Sequence, residues 1–259
     1  MPGSNKKQYG KLPSAYIAFG IALISLMTLL GGSAFLRVTE IRVEGVSLYS
    51  ITEIVESSGL TPGDNLLFVN AQNVSSNIRQ ALPFVYAVEI SRVLPDTVLV
   101  EITESDAVAS IAFAGELLII DSAGRVLARS APGLLLMPGI DVANLIEIRG
   151  VDIDEATPGI VLKPELGTET KLLYMQDVLA AMEREGMIRD VTYLDVSNIT
   201  NIHFGYLSMY RVIIGGITNL RHNFGRLPVT VEIIQHRHPN TTGSINMSNA
   251  YADPTFIAD

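Results

Sequence analysis

From Leu12 to Leu36 the chain runs 25 residues without a charged side chain, mostly Ala, Ile, Leu, Phe and Met. At ~1.5 Å per helical residue this matches a hydrocarbon core of ~30 Å, so a transmembrane helix is predicted over 13–36, behind a tail of residues 1–12. A buried helix of a soluble domain and a cleaved signal peptide ending near Gly32, Ser33 and Ala34 are the two other readings. Core helices seldom run this long without a polar face, and the apolar part of a signal peptide spans ~7 to 15 residues, so an anchor is expected. Lys6, Lys7 and Lys11 precede the run and only Arg37 follows closely. That asymmetry predicts a cytoplasmic N-terminus and a body outside the membrane.

Beyond the span the period of the pattern changes to two. In Val38 to Gly45, Ile41 and Val43 alternate with Arg42 and Glu44, which is the signature of a half-buried strand. Ser50 and Glu53 have capping-box spacing ahead of an apolar stripe of Ile51, Ile54, Val55 and Leu60, and Gly59 is a stop signal. A Thr61-Pro62-Gly63-Asp64 turn leads into Leu66 to Val69, and Val74, Ile78 and Leu82 then recur at helical spacing up to Pro83. Ala87 to Leu94 and Thr97 to Glu104 alternate on either side of Pro95-Asp96, predicting a β-hairpin. Strand, helix, helix, strand, strand makes a small sheet with two helices on one face.

Farther along, Leu117 to Asp121 and Arg125 to Leu127 read as two strands about an Asp-to-Gly turn. Leu172, Leu173, Val178, Leu179 and Met182 give a helical stripe ending at Gly186, and Tyr193 to Val196 and Tyr210 to Gly216 read as strands. Residues 219–236 are open to two readings. Leu220, Phe224, Leu227, Val231 and Ile234 keep helical spacing, whereas Pro228 costs a helix interior ~3 kcal/mol and Val229-Thr230-Val231 favours strand. Gly243 to Ser248 and Thr255 to Ile257 complete the extended segments.

Composition narrows the class. A chain that is 48% hydrophobic and 17% charged is too apolar to be disordered. With no cysteine it has no disulfide, thiolate nucleophile or cysteine-based zinc site. The net charge is −9, and with the N-terminal lysines set aside the body is more acidic still, which opposes nucleic-acid binding.

The chemistry of an enzyme is hard to find in this chain. It lacks a Gly-x-Ser-x-Gly elbow, a His-Glu-x-x-His pair and a Gly-x-x-x-x-Gly-Lys loop. His236 and His238 are close enough to share a metal on a strand, but a solvated helix end accounts for them better. Asp152, Asp154 and Glu155 lack the alternating ligand pattern of a calcium loop and read as a solvated loop. No catalytic, cofactor-binding or metal-binding residue is assigned, and no cofactor is expected.

The ordered set Val43-Glu44-Gly45, Gly63-Asp64-Asn65-Leu66-Leu67, Pro83 to Val88, Arg92 to Val98 and Glu104, directly behind one span, resembles the POTRA domain of the FtsQ/DivIB bacterial cell-division family. Leu94 stands where the family often has tryptophan, and Ser105 where a basic residue often follows the acid. Leu117 to Leu127 with Leu136, Met137, Pro138 and Gly139 resemble that family's β domain. The implied fold is α+β, with one transmembrane helix, a POTRA domain over 37–105 and a β domain over 106–259 built on a curved, mainly antiparallel sheet with flanking helices. The family pattern also favours a helix over 219–236, kinked near Pro228.

The implied function is a bitopic scaffold that binds FtsB/DivIC-like and FtsL-like division proteins and helps recruit and regulate septal wall synthesis, without turnover. A membrane-anchored extracytoplasmic enzyme or sensor is the alternative, and an outer-membrane assembly protein the third. That last reading would need many ~10-residue amphipathic strands, which the pattern lacks. The partner site is expected at the C-terminal end, on Ile245, Met247, Tyr251 and Phe256. A strand there, if it lies at a sheet edge, can pair with an incoming strand, while Tyr251 and Phe256 supply apolar anchors. The other reading makes Ile245, Met247 and Phe256 ordinary core residues.

Overall fold

The computed structural model describes residues 16, 18–24, 36–130, 140–249 and 251–259. Most of the predicted span over 13–36, with the tail before it, lies outside these residues, as do Leu136 to Gly139. Residues 16 and 18–24 are helical. Among the described residues no helix is long and apolar enough to cross a membrane.

The first unit runs β1 (Glu40–Glu44), α1 (Ile51–Ser58), α2 (Ala71–Ala81), β2 (Val85–Val93) and β3 (Thr97–Glu104). β3 lies in the middle of a three-stranded sheet, parallel to β1 and antiparallel to β2. Its alternate residues Val98, Val100 and Ile102 are buried against Ile54, Val74 and Ile78 from the two helices. Each such aliphatic side chain contributes ~1.5–3 kcal/mol when fully buried.

The expected capping box is formed. The Ser50 side chain accepts from Glu53 N–H at 3.2 Å, and the Glu53 carboxylate accepts from Ser50 N–H at 2.8 Å. The latter bond holds the Glu53 pKa below the usual range. Gly59 ends α1 in the left-handed region. Ile51, placed on the apolar stripe by spacing, is 56% exposed because it begins the helix before the packed turn.

Two motif residues have direct mechanical reasons. Gly45 has φ +83°, and a Cβ there would lie 2.1 Å from the Ile102 carbonyl oxygen, so the chain leaves β1 only through glycine. The Glu104 carboxylate then accepts from the N–H groups of Ser47 at 2.9 Å and Leu48 at 3.0 Å, tying the end of β3 to the turn after β1.

The second unit holds β4 (Ala109–Phe113), β5 (Glu116–Ile120), β6 (Val126–Ser130), β7 (Ile146–Arg149), β8 (Ile153–Glu155), β9 (Lys163–Pro164), α3 (Glu169–Arg184), β10 (Val191–Asp195), β11 (Ile202–Tyr206), β12 (Tyr210–Gly215), α4 (Leu220–Arg237), β13 (Gly243–Asn246) and β14 (Thr255–Ala258). Nine strands form one mixed sheet in the order β14-β13-β12-β11-β10-β7-β4-β5-β6, while β8 and β9 pair with each other. The large sheet is mainly antiparallel, with parallel pairing at β12/β13, β10/β7 and β4/β7.

α3 and α4 bury Met175, Val178, Leu179, Met182, Phe224, Leu227, Val231 and Ile234 in one cluster with Leu118, Ile120, Leu194, Phe204, Val212 and Ile245 of the sheet. Phe204 meets Phe224 edge to face at 5.7 Å. Leu173, expected on the α3 stripe, is 57% exposed, and Met175 takes the inward position.

Residues 220–237 form one helix with Pro228 inside it. Pro228 has no N–H for the Phe224 carbonyl, a loss of ~3 kcal/mol. Burial of Phe224, Leu227, Val231 and Ile234, at ~1.5–3 kcal/mol each, outweighs it. Thr230 Oγ1 donates to the Arg226 carbonyl at 2.9 Å, adding a side-chain bond in the same turn.

Candidate interaction surface

The C-terminal end of the large sheet is assembled from β12, β13, β14 and the end of α4. β13 lies parallel to β12 and is extended past its end by a Met247 N–H bond to the Ile213 carbonyl at 2.8 Å. β14 runs antiparallel along its other side, pairing Ile245 with Phe256 and Ser244 with Ile257. Glycine permits that close pairing: a Cβ on Gly243 would lie 2.3 Å from the Ile257 carbonyl oxygen and 2.6 Å from the Phe256 ring.

The expected site residues divide into two pairs. Ile245 and Met247 are fully buried under α4 and offer no surface to a partner. Phe256 is half-buried, with its ring 6.2 Å from that of Tyr210 and 5.7 Å from that of His238. Tyr251 is 96% exposed on the loop between β13 and β14. That loop is fixed from within by Tyr251 N–H donating to Asn249 Oδ1 at 3.0 Å, and from α4 by Arg226 donating to the Ala252 carbonyl at 3.1 Å.

β13 therefore has neighbours on both sides, and the sheet edge belongs to β14. Asp259 N–H bonds to the Thr242 carbonyl, so the alternation of an antiparallel ladder turns the backbone of Phe256 and Ala258 outward. Ile257, 69% exposed, lies on the face away from the helices.

Charge separates this edge from the others. β1 carries Glu40, Arg42 and Glu44, β2 carries Glu89 and Arg92, and β6 carries Arg129. The β8/β9 pair carries Asp154, Glu155 and Lys163. Charged side chains on an edge strand discourage pairing with another chain. Among the described edge strands β14, with the sequence Thr-Phe-Ile-Ala, is the one without a charge.

A polar cluster occupies the opposite face of the sheet centre. Arg149 pairs with Glu147 at 2.6 Å and lies 4.3 Å over the Tyr193 ring, and His203 is 3.8 Å from Asp195. Burial pushes the Asp195 carboxyl up, but the Ser197 N–H and hydroxyl, His203 and Arg149 outweigh it and hold its pKa below the usual Asp range. The Arg149 hydrogen bond holds Glu147 low in the same way. Both shifts favour ionised carboxylates, opposite to what a general acid needs.

Asp152 and Asp154 each pair with a lysine at 2.7 Å, Lys171 and Lys163 respectively. His236 and His238 lie exposed at the end of α4. Among the described residues no group of three or more His, Asp or Glu side chains is arranged to hold a metal ion.

A three-stranded β-α-α-β-β unit, followed by a larger mixed sheet whose last strand is uncharged, defines a POTRA-bearing α+β protein. The sequence profile described as "POTRA domain, FtsQ-type" matches residues 36–105. The chain is 27% identical over 249 residues to the cell division protein FtsQ of Anaeromyxobacter sp., covering 75% of this chain and 82% of the relative. It is 32% identical over 134 residues to FtsQ of Corynebacterium glutamicum, covering 49% and 60%. To the cell division protein DivIB of Clostridium acetobutylicum it is 26% identical over 188 residues, covering 73% and 71%. Residues 36–105 thus match the FtsQ-type POTRA model, and over most of its length the chain is similar to cell-division proteins named FtsQ and DivIB.

Proposed function

We propose that this chain is a bitopic divisome scaffold. In this reading residues 13–36 cross the plasma membrane with the N-terminus in the cytoplasm, and 37–105 and 106–259 are separate extracytoplasmic domains acting at the septum. The partners are FtsB/DivIC-like and FtsL-like proteins, through which the chain recruits and regulates septal wall synthesis without catalysing a reaction. The uncharged edge of β14 is the observation that carries this reading. An incoming strand adds to the outward backbone groups of Phe256 and Ala258, and Tyr251 beside it supplies an aromatic anchor.

The site differs from the expected one in its inner part. Ile245 and Met247 hold the platform in place, and contact passes to β14 and Tyr251. The full-length chain in detergent or nanodiscs should capture small bitopic coiled-coil proteins from native membranes, and Tyr251→Ala should weaken that capture by more than ~1 kcal/mol. Its melting should stay unchanged, because Tyr251 is 96% exposed. Capture of a soluble substrate-processing partner, with no such membrane protein, would favour the anchored enzyme or sensor instead.

A further inference from the structure

The first domain has two ends, and the chain enters it at one of them. Leu36 accepts from Leu66 N–H at 2.8 Å, Arg37 forms a bridge with Asn65, and Val38 N–H donates to the Asp64 carbonyl at 2.8 Å. The short 3-10 turn Leu66–Phe68 is thereby fixed beside the residue where the apolar run of 12–36 ends. Thr39 N–H donates to the Asp96 carbonyl at 2.9 Å, which brings the β2/β3 hairpin tip to the same end. Arg92 donates to the Val69 carbonyl at 2.8 Å and ties the tip to the turn.

Each of these two loops presents apolar side chains to solvent. Leu67 is 52% exposed and Phe68 81%, and on the hairpin Val93 is 42% exposed and Leu94 68%. Buried neighbours anchor both loops from inside, Leu66 and Val69 on one and Val98 on the other. The other end of the sheet, where Gly45 and Glu104 meet, is about 17 Å away along the five residues of β1.

We infer that Leu67, Phe68, Val93 and Leu94 form a rim that dips into the outer surface of the bilayer and sets the first domain upright on the membrane. The occupant is lipid, because residue 36 ends the predicted span and hydrogen bonds hold residue 66 against it, with no length of chain between span and rim. Apolar side chains on a domain held at that height face the boundary between headgroups and acyl chains. The inference rests on the anchor in the proposed function.

The chain has no cysteine, so single-cysteine variants give unambiguous labels. The full-length protein, carrying Phe68→Cys, Leu94→Cys, Ile24→Cys or Leu166→Cys with an environment-sensitive dye, is reconstituted in phosphatidylethanolamine/phosphatidylglycerol vesicles. Some of the lipids carry nitroxide quenchers. Labels at 68 and 94 should be blue-shifted and quenched severalfold more than at 166, a position 98% exposed in the second domain. The label at 24, inside the predicted span, reports the anchor.

Quenching at 24 with labels at 68 and 94 as wet as that at 166 would overturn the rim and leave the anchor standing. No quenching at 24 would overturn both. Shielding at 68 and 94 that appears only when a second protein is added would give the rim to a protein partner and overturn the lipid assignment.

Discussion

The two edges of the nine-stranded sheet are treated in opposite ways. At β6 the outer side is covered: Val126 N–H donates to the Ile160 carbonyl at 2.9 Å, Gly159 N–H donates to Val126 O at 2.8 Å, and Arg129 reaches the Ala156 carbonyl at 3.2 Å. Arg129 also pairs with Glu116 at 2.7 Å, which places a charge on that edge. At β14 the outward groups of Phe256 and Ala258 have no neighbouring strand among the described residues, and none of the four residues of the strand is charged. Unpaired backbone donors and acceptors on an uncharged edge invite another strand, and this contrast is the ground for proposing the interface at β14 rather than at β6.

Substitutions can break this contrast at either edge. The largest effect is expected from Gly243→Val, whose side chain would strike the Ile257 carbonyl and the Phe256 ring. It should displace β14, lower stability by about 2–4 kcal/mol as overpacking and lost pairing combine, and abolish partner capture. Chemical denaturation and pull-down on one sample would check both.

Ala258→Pro is more selective. It removes one outward N–H and leaves the β13 ladder intact, since proline is tolerated on an edge. Capture should fall about tenfold, or ~1.4 kcal/mol, with the denaturation midpoint nearly unchanged. Arg129→Ala at the covered edge should have the reverse profile. Stability should fall by about 0.5–1 kcal/mol through the lost hydrogen bond and exposed ion pair, while capture stays the same.

The smallest effect belongs to the sheet's polar face. Asp195 and Glu147 have lowered pKa values when folded. Their stabilisation is therefore complete above the unfolded values of ~3.9 and ~4.3 and is lost as pH falls through the folded ones. Asp195→Asn should flatten the loss of stability on acidification below about pH 5 and leave partner capture at neutral pH untouched. Melting curves across pH would show it.

The first domain was legible in the sequence because its signals are local. Ser50 and Glu53 cap a helix within one turn, and Val98, Val100 and Ile102 alternate along one face. In the second domain, β5, β6, β10 and β12 were readable, but β4, β7 and β11 were not. Ala109, Ser110 and Ile111 of β4 are all buried, so the strand has little alternation. β7 has four residues, and β11 carries Gly205 among buried neighbours. Such strands are fixed by pairing with distant partners, as β4 is with β7 and β7 with β10, which periodicity does not report.

The helix over 220–237 needed the family pattern, because Pro228 and the β-branched run point the other way while the deciding burial is tertiary. The candidate site was half legible. Its location at the chain's C-terminal end followed from the order of strands and the resemblance. Which strand forms the edge did not, because β14 folds back over β13 through a loop whose turn chemistry, the Asn249 side chain accepting from Tyr251, gives no register signal.

Amide hydrogen exchange at the β14 edge, with and without the captured partner, tests the central claim most directly. In the free protein Ile257 and Asp259 amides, which face β13, should be protected and those of Phe256 and Ala258 should exchange fast. Partner binding should slow Phe256 and Ala258 selectively, restoring the alternate pattern of a paired strand. Exchange at these two amides that is unchanged when the partner is bound would contradict strand addition at β14.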